Sequence, residues 1–343
     1  MTMIQQDGSP DFAATADPRS GGRRLERGTV NALVVFGLSI ALVVASRMIS
    51  PALGSWSQVL TILTLASFLV VLSFGQGLVI LVGGLDLSVP ALITLGGVLT
   101  TTWAGADAGV LTVPILALVL GVCALVGLVN GIGVVLLKVP PFIMTMATSI
   151  TVASVALGFT SGTPRGASPA VLLDLMKTSW AGVPVVVFFL VAFAIAGWIV
   201  QSHTVFGRQL FAVGTSREAA RIAGVPVGRV EMLPYVISAA CAGFVGMMLV
   251  GYANGATLRM GDSYMLPSIA AVVIGGSSIL GGSGSFVGTV GGAILLTTLG
   301  TVIAAIGLDQ GWRTIIEGSI IILALLALRE GFASRIRLRA KRH

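Results

Sequence analysis

What most constrains this chain is a recurring run of apolar residues, each about as long as a bilayer's hydrocarbon core is thick. A helix needs roughly 20 residues to cross that core. Such runs occupy 31–48, 59–82, 88–103, 113–137, 142–160 and 184–200, then 233–253, 265–280, 286–306 and 314–328. Within hydrocarbon every backbone amide and carbonyl must be satisfied by the chain itself, which leaves only helices and closed barrels. The runs are continuous rather than alternating, so barrels are excluded. The chain therefore reads as an all-α polytopic membrane protein with ten crossings, the third and eighth short enough to be broken. Its charge agrees: charged residues make up 10% of the chain and mean hydropathy is +1.01, whereas a soluble domain carries about 25% charge.

Five segments follow: a tail at 1–30, six spans at 31–200, a polar island at 201–232, four spans at 233–328 and a basic tail at 329–343. The first thirty residues lack the basic start, short apolar stretch and cleavage site of a secretory signal. The first run is thus an uncleaved span, preceded by a tail (1–20) expected to be disordered. An even number of spans puts both termini on one side. With the termini in the cytoplasm, that side receives fifteen of the twenty basic residues, as the positive-inside rule requires. The net charge of +7 is then explained by topology and lipid headgroups, without nucleic acid.

Several chemistries are missing. Cys123 and Cys241 each fall mid-span and suggest packing, with no disulfide or metal framework. None of the three lysines follows a glycine, so there is no phosphate loop. His203 and His343 lie in the polar island and at the terminus, out of reach of an intramembrane nucleophile. The chain is expected to be no enzyme and to carry no cofactor, but to form a transport path powered from elsewhere.

The polar island holds Arg208, Arg217, Arg221 and Arg229 and a short helix, Ser216 to Ala223. Thr215 and Glu218 have the spacing of a capping box. Gly224 can end the helix in the left-handed region, and Pro226 prevents its resumption. Two turns are too short to be stable alone, so such a helix suits docking another protein. Ile222 with Ala219 and Ala223 offers it a small apolar face, and Arg217 with Arg221 a basic edge.

Forty-five glycines suggest close helix packing, with Gly284, Gly288 and Gly292 at small-residue spacing. Paired glycines beside a short run, Gly275–Gly276 and Gly281 to Gly284, suit a broken or re-entrant helix, which is tolerated only against protein or a water-filled cavity. Pro140 and Pro141 would open a helix. Asp86, ahead of Ser88 and Pro90, can serve as the carboxylate at the start of a half-helix. Arg313 and Glu317 lie one turn apart and would neutralise each other. Thr145 and Thr148 could line a path for a neutral, hydroxylated solute, or could bond their own helix carbonyls.

These motifs resemble one family. Gly83-Gly84-Leu85-Asp86-Leu87-Ser88-Val89 is similar to the glycine–aspartate–serine motif of ribose-type sugar permeases from bacterial ATP-binding-cassette importers. Val139-Pro140-Pro141-Phe142-Ile143 resembles their proline pair, with Thr145 in place. Gly207-Arg208 and Glu218 through Gly224 resemble their coupling region, and Ile269 to Gly276 with Leu280 to Thr289 their most distinctive segment. The resemblance spans residues 30 to 330 and implies a type II importer-like permease in the bacterial inner membrane. It implies pairing with a second copy or a paralogue, substrate from a periplasmic binding protein, and a cytoplasmic ATPase that holds ATP and Mg. Thr215, Arg217, Glu218, Ala219, Arg221, Ile222 and Gly224 would then couple to the ATPase. Asp86, Ser88, Pro140, Pro141, Phe142, Thr145, Thr148, Gly275, Gly276, Gly282 and Gly284 would border the path. Pro90 stands where the family usually has glycine, and Met265-Leu266-Pro267 where many members carry an acidic residue.

The cargo reads as a monosaccharide or polyol. Branched-chain amino acids or nucleosides are the alternative within the same machinery, and an ion-coupled secondary transporter is the remote one. Without a phosphate loop, the purified chain should turn over no ATP by itself. Turnover by the isolated chain that survives removal of contaminating ATPases would contradict this reading.

Overall fold

A computed structural model describes residues 20–307 except 49, 51, 52 and 107, with scattered positions to 322. Residues 1–19, more than half of the tenth run, the Arg313–Glu317 pair and the basic tail lie outside the described residues. Twelve α-helices follow one another among the described residues: α1 (Ser20–Ser46), α2 (Trp56–Leu81), α3 (Val89–Leu99), α4 (Thr112–Val135), α5 (Pro141–Phe159), α6 (Ala170–Lys177), α7 (Val185–His203), α8 (Val205–Thr215), α9 (Arg217–Ile222), α10 (Val227–Ala253), α11 (Met265–Ile274) and α12 (Phe286–Ala305). Six of them (α2, α4, α5, α7, α10 and α12) are long and apolar enough to cross a membrane. Three shorter apolar helices, Val30–Ser46, Val89–Ala104 and Asp262–Ile274, supply the rest of the first nine runs.

Helices α2 and α10 form the centre. α10 packs along α4, α3 and α2, while α12 packs along α1, α2 and α11. Of the apolar stretch of α2, 89% is buried inside the protein, against 17% for α4. The outer helices turn large side chains such as Leu118, Leu125, Ile150, Val191 and Ile195 outward. So much exposed apolar surface on one molecule is a lipid-facing surface.

Two glycine turns close helices beside the two short runs, one at the end of α2 and one at the end of α11. Gly83 has φ +79°, and behind it Gly83 N–H donates to Ile80 O and Gly84 N–H to Val79 O, both at 2.9 Å. This motif closes a helix by satisfying its orphan carbonyls. α11 ends alike: Gly276 has φ +93°, with Gly276 N–H to Val273 O at 2.8 Å and Ser277 N–H to Val272 O at 3.1 Å. The expected eighth run, 265–280, is therefore a ten-residue half-helix, followed by irregular backbone up to α12. It lies beside the second half of α2, where Ser73 Oγ donates to Ser268 O at 3.3 Å. The third run likewise has only eleven regular residues in α3, then a widened turn at Thr100–Ala104.

Other boundaries differ. α10 starts at Val227, not at 233, because Pro226 breaks α9 yet is itself a good residue to precede a new helix. The last residues of the polar island, Arg229 and Glu231 included, thus belong to α10. Helix α6 and a small antiparallel hairpin, β1 (Ser179–Trp180) with β2 (Val183–Pro184), lie where only a loop was expected.

Gly288 and Gly292 face α11 backbone to backbone: a methyl on either would overlap Gly275 O or Ala271 O. Gly284, which shares their spacing, precedes α12 and sits against Ser277. Gly288→Leu should therefore lower stability by roughly 2 kcal/mol or more, since a closed interface cannot accept the added volume. Gly121→Leu, with open space around it, should melt like wild type. Equal melting of both variants in detergent would refute the assigned interface.

Candidate functional site

Two clusters of polar groups stand out, one at the end of the bundle that carries α8 and α9, the other inside it. The first begins at Thr204, whose hydroxyl accepts from Gly207 N–H at 3.1 Å and opens α8. α8 continues through Thr215, whose hydroxyl donates back to Phe211 O at 2.8 Å. The expected capping box of Thr215 and Glu218 therefore does not form. An N-cap must leave the helical region, and it is Ser216 that does so, at φ −160°. Its Oγ accepts from Ala219 N–H at 3.2 Å. Glu218 instead pairs with Arg221 at 2.9 Å, and Arg217 pairs with Glu231 on α10.

The end of α9 is as expected. Gly224 takes φ +80°, and the N–H groups of Gly224 and Val225 close on Arg221 O and Ala220 O, both at 3.0 Å. Ala220 is buried against the bundle, while Ala219, Ile222 and Ala223 face outward, Ile222 with 80% of its surface exposed. A groove of about 600 Å³ is lined by α8 and α9 together with Gly282, Ser283 and Gly284. Gly275, Gly276, Gly282 and Gly284 all belong to the stretch between α11 and α12, where Gly282 lies beside Thr215.

The second cluster surrounds the first break. Asp86 Oδ1 accepts from Ser88 N–H at 3.0 Å and from Ser88 Oγ at 2.5 Å. Asn130 Nδ2 on α4 donates to Ser88 Oγ at 3.0 Å. Thr145 on α5 shares its hydroxyl between Pro141 O at 2.9 Å and Leu85 O at 3.3 Å. Asp86, Ser88, Asn130 and Thr145 are all essentially inaccessible. Asp86 thus stands three residues ahead of α3 and holds Ser88, the residue that precedes the helix, with Pro90 inside the first turn. No cation pairs with it among the described residues. Asp86 Oδ2 and Asn130 Oδ1 make no hydrogen bond among the described residues.

The sequence-expected path residues therefore fall in three places. Asp86, Ser88 and Thr145 meet in the buried cluster. Gly282 and Gly284 border the groove, whereas Gly275 packs on Gly288 and Gly276 on Asn31. Pro140 and Pro141 open α5, with Phe142 exposed and Thr148 half-buried on its flank. Sequence reasoning missed Ser216, Asn130, Glu231 and Gln76, whose buried amide has no hydrogen-bond partner among the described residues. A lone amide inside a long apolar run was the available signal for Asn130 and Gln76.

A family model described as the permease component of a branched-chain amino acid transport system matches residues 58–325. The chain belongs to that permease family. A probable ABC transporter permease, y4mJ of Sinorhizobium fredii, is 35% identical over 89% of this permease and 92% of its own length. The ribose import permease RbsC of Escherichia coli is 30% identical over 84% and 90%. The galactose/methyl galactoside import permease MglC of the same species is 32% identical over 84% and 92%. No solved structure matches. This permease is thus a multi-pass membrane protein, and its relatives are permease subunits of ATP-binding-cassette importers.

The buried cluster makes a graded prediction. Asp86→Ala strands the Ser88 amide and hydroxyl and should cost about 1–3 kcal/mol, whereas Asp86→Asn keeps an acceptor oxygen and should cost less. The order of melting temperatures in detergent checks it, and the reverse order would contradict the assigned hydrogen bonds.

Proposed function

We propose that this permease forms the membrane-spanning part of a bacterial importer for a monosaccharide or related polyol, driven by a separate ATPase. The observation that carries this reading is the α8–α9 pair. A capped six-residue helix would not persist by itself. Here it is anchored by Arg217–Glu231 and by buried Ala220, while its apolar residues face outward. That is the geometry of a surface kept for a protein partner. In this reading the partner is the ATPase, which holds the ATP and Mg, and this chain needs no cofactor.

The orientation follows from charge. The α8–α9 end carries Arg208, Arg217, Arg221 and Arg229, a basic bias that supports a cytoplasmic position for it in a bacterial inner membrane. Both termini then lie there too. The opposite end, with α6 and the hairpin, receives a periplasmic binding protein. A second copy or a paralogue completes the path.

Two observations bear on cargo. Two of the three relatives named above are called ribose and galactose/methyl galactoside import permeases. Asp86 is the single fully buried charged residue among the described residues, which suits a neutral hydroxylated solute. The family's own description favours branched-chain amino acids as the second reading. Uptake in cells carrying the intact transporter should be competed by pentoses, hexoses or polyols. Competition by leucine, isoleucine or valine alone would favour the second reading.

A further inference from the structure

The end of α8 meets both helix breaks at one point. Gly282 N–H donates to Leu81 O at 2.9 Å, and Leu81 is the last residue of α2. Gly214 lies directly against that bond: a methyl there would overlap Leu81 O and come within 2.6 Å of Gly282 N. Next to it, Thr215 Oγ1 points to Gly282 O at 3.4 Å. Gly281 packs on Gly83, its Cβ direction 2.9 Å from Gly83 N. From this joint one strand of chain leads through Gly84 to the buried Asp86 and α3. The other leads back through Ser277 to α11.

We propose that Gly214 and Thr215 are positioning residues for transport, seating the coupling helices on both breaks so that α3 and α11 move with α9. The inference rests on the coupling role proposed above for α8 and α9. The contact is made by backbone against backbone, without side chains that could rotate to absorb a displacement. Packed interfaces of this kind shift between discrete arrangements and do not deform continuously. The lever is also stiff. α8 is a regular helix up to Thr215, only Ser216 separates it from α9, and Arg217–Glu231 ties α9 to α10. A shift of α9 against its partner therefore reaches Gly214 undamped and displaces the turn ahead of Asp86 together with the loop behind α11.

Two variants test this in vesicles that hold the permease, its ATPase and its binding protein. Gly214 is helical with a negative φ, so Gly214→Ala suits α8 itself and adds only a methyl to the joint. Thr215→Val keeps the shape and removes the hydroxyl. One measurement is solute imported per ATP hydrolysed. The other is labelling of Ser283→Cys, on the exposed part of the α11–α12 loop, by a membrane-impermeant thiol reagent with and without ATP. In the wild-type background nucleotide should change the labelling rate. Gly214→Ala should reduce solute per ATP about tenfold, within the usual range of coupling free energies, and abolish the nucleotide effect on labelling. Thr215→Val should do the same to a smaller extent, and Gly121→Ala should do neither. If Gly214→Ala fails to accumulate, Thr215→Val decides. Wild-type transport ratios and labelling changes in the surviving variants overturn the joint while leaving the functional reading intact. A wild-type chain that neither retains the ATPase nor changes labelling with nucleotide overturns the functional reading, and the joint with it.

Discussion

Helix α2 closes at Gly83 and the half-helix α11 at Gly276, and a helix end buried inside the protein leaves carbonyls that water cannot reach. Everything else is arranged around satisfying them. The two glycine-closed turns dispose of four carbonyls within their own helices. The next carbonyl of α2, that of Leu81, is beyond the reach of such a turn. It is met by Gly282 N–H from a segment two hundred residues later in the chain. One break thus completes the other, and the distance between them is fixed by a hydrogen bond. The glycines around it exist because that bond lets no Cβ approach.

The same economy explains the interior cluster. Opening a helix at Ser88 leaves amides to be satisfied, and Asp86 supplies an acceptor strong enough to hold both the amide and the hydroxyl of that residue. Asn130 and Thr145 then tie α4 and α5 to the turn. Each of these groups would be costly in hydrocarbon alone. Together they make the turn a junction of four helices, at a place where apolar contacts could not specify a unique arrangement.

Much of the fold was legible because hydrocarbon thickness is a ruler. Nine apolar runs correspond in order to nine apolar helices, and the glycines at 275–276 and 281–284 marked the break after α11. The helix starts were harder. Thr215 and Ser216 are equally good caps by residue type, and the choice was made by α8, which keeps Thr215 helical. α10 extends six residues into polar sequence because its first turns lie at the end of the bundle, where Arg229 can remain in water. The site was legible in part. Asp86, Ser88 and Thr145 do meet, but Arg217–Glu231 joins residues fourteen apart on different helices, a relation with no periodic signature.

The burial of α2 has a consequence for how the protein is made. Synthesis runs from the N-terminus, so α2 leaves the ribosome long before α10 and α12, the helices that later enclose it, exist. A segment that ends with 89% of its apolar stretch hidden from lipid must first dwell in lipid, with only its predecessor for company. Its mean hydropathy of 2.0 meets that transient need, one the finished structure no longer imposes. Gln76, Ser67 and Ser73 measure how far the final enclosure has relaxed it. The composition of the central helix records two environments met in succession, and only the second is visible in the folded molecule.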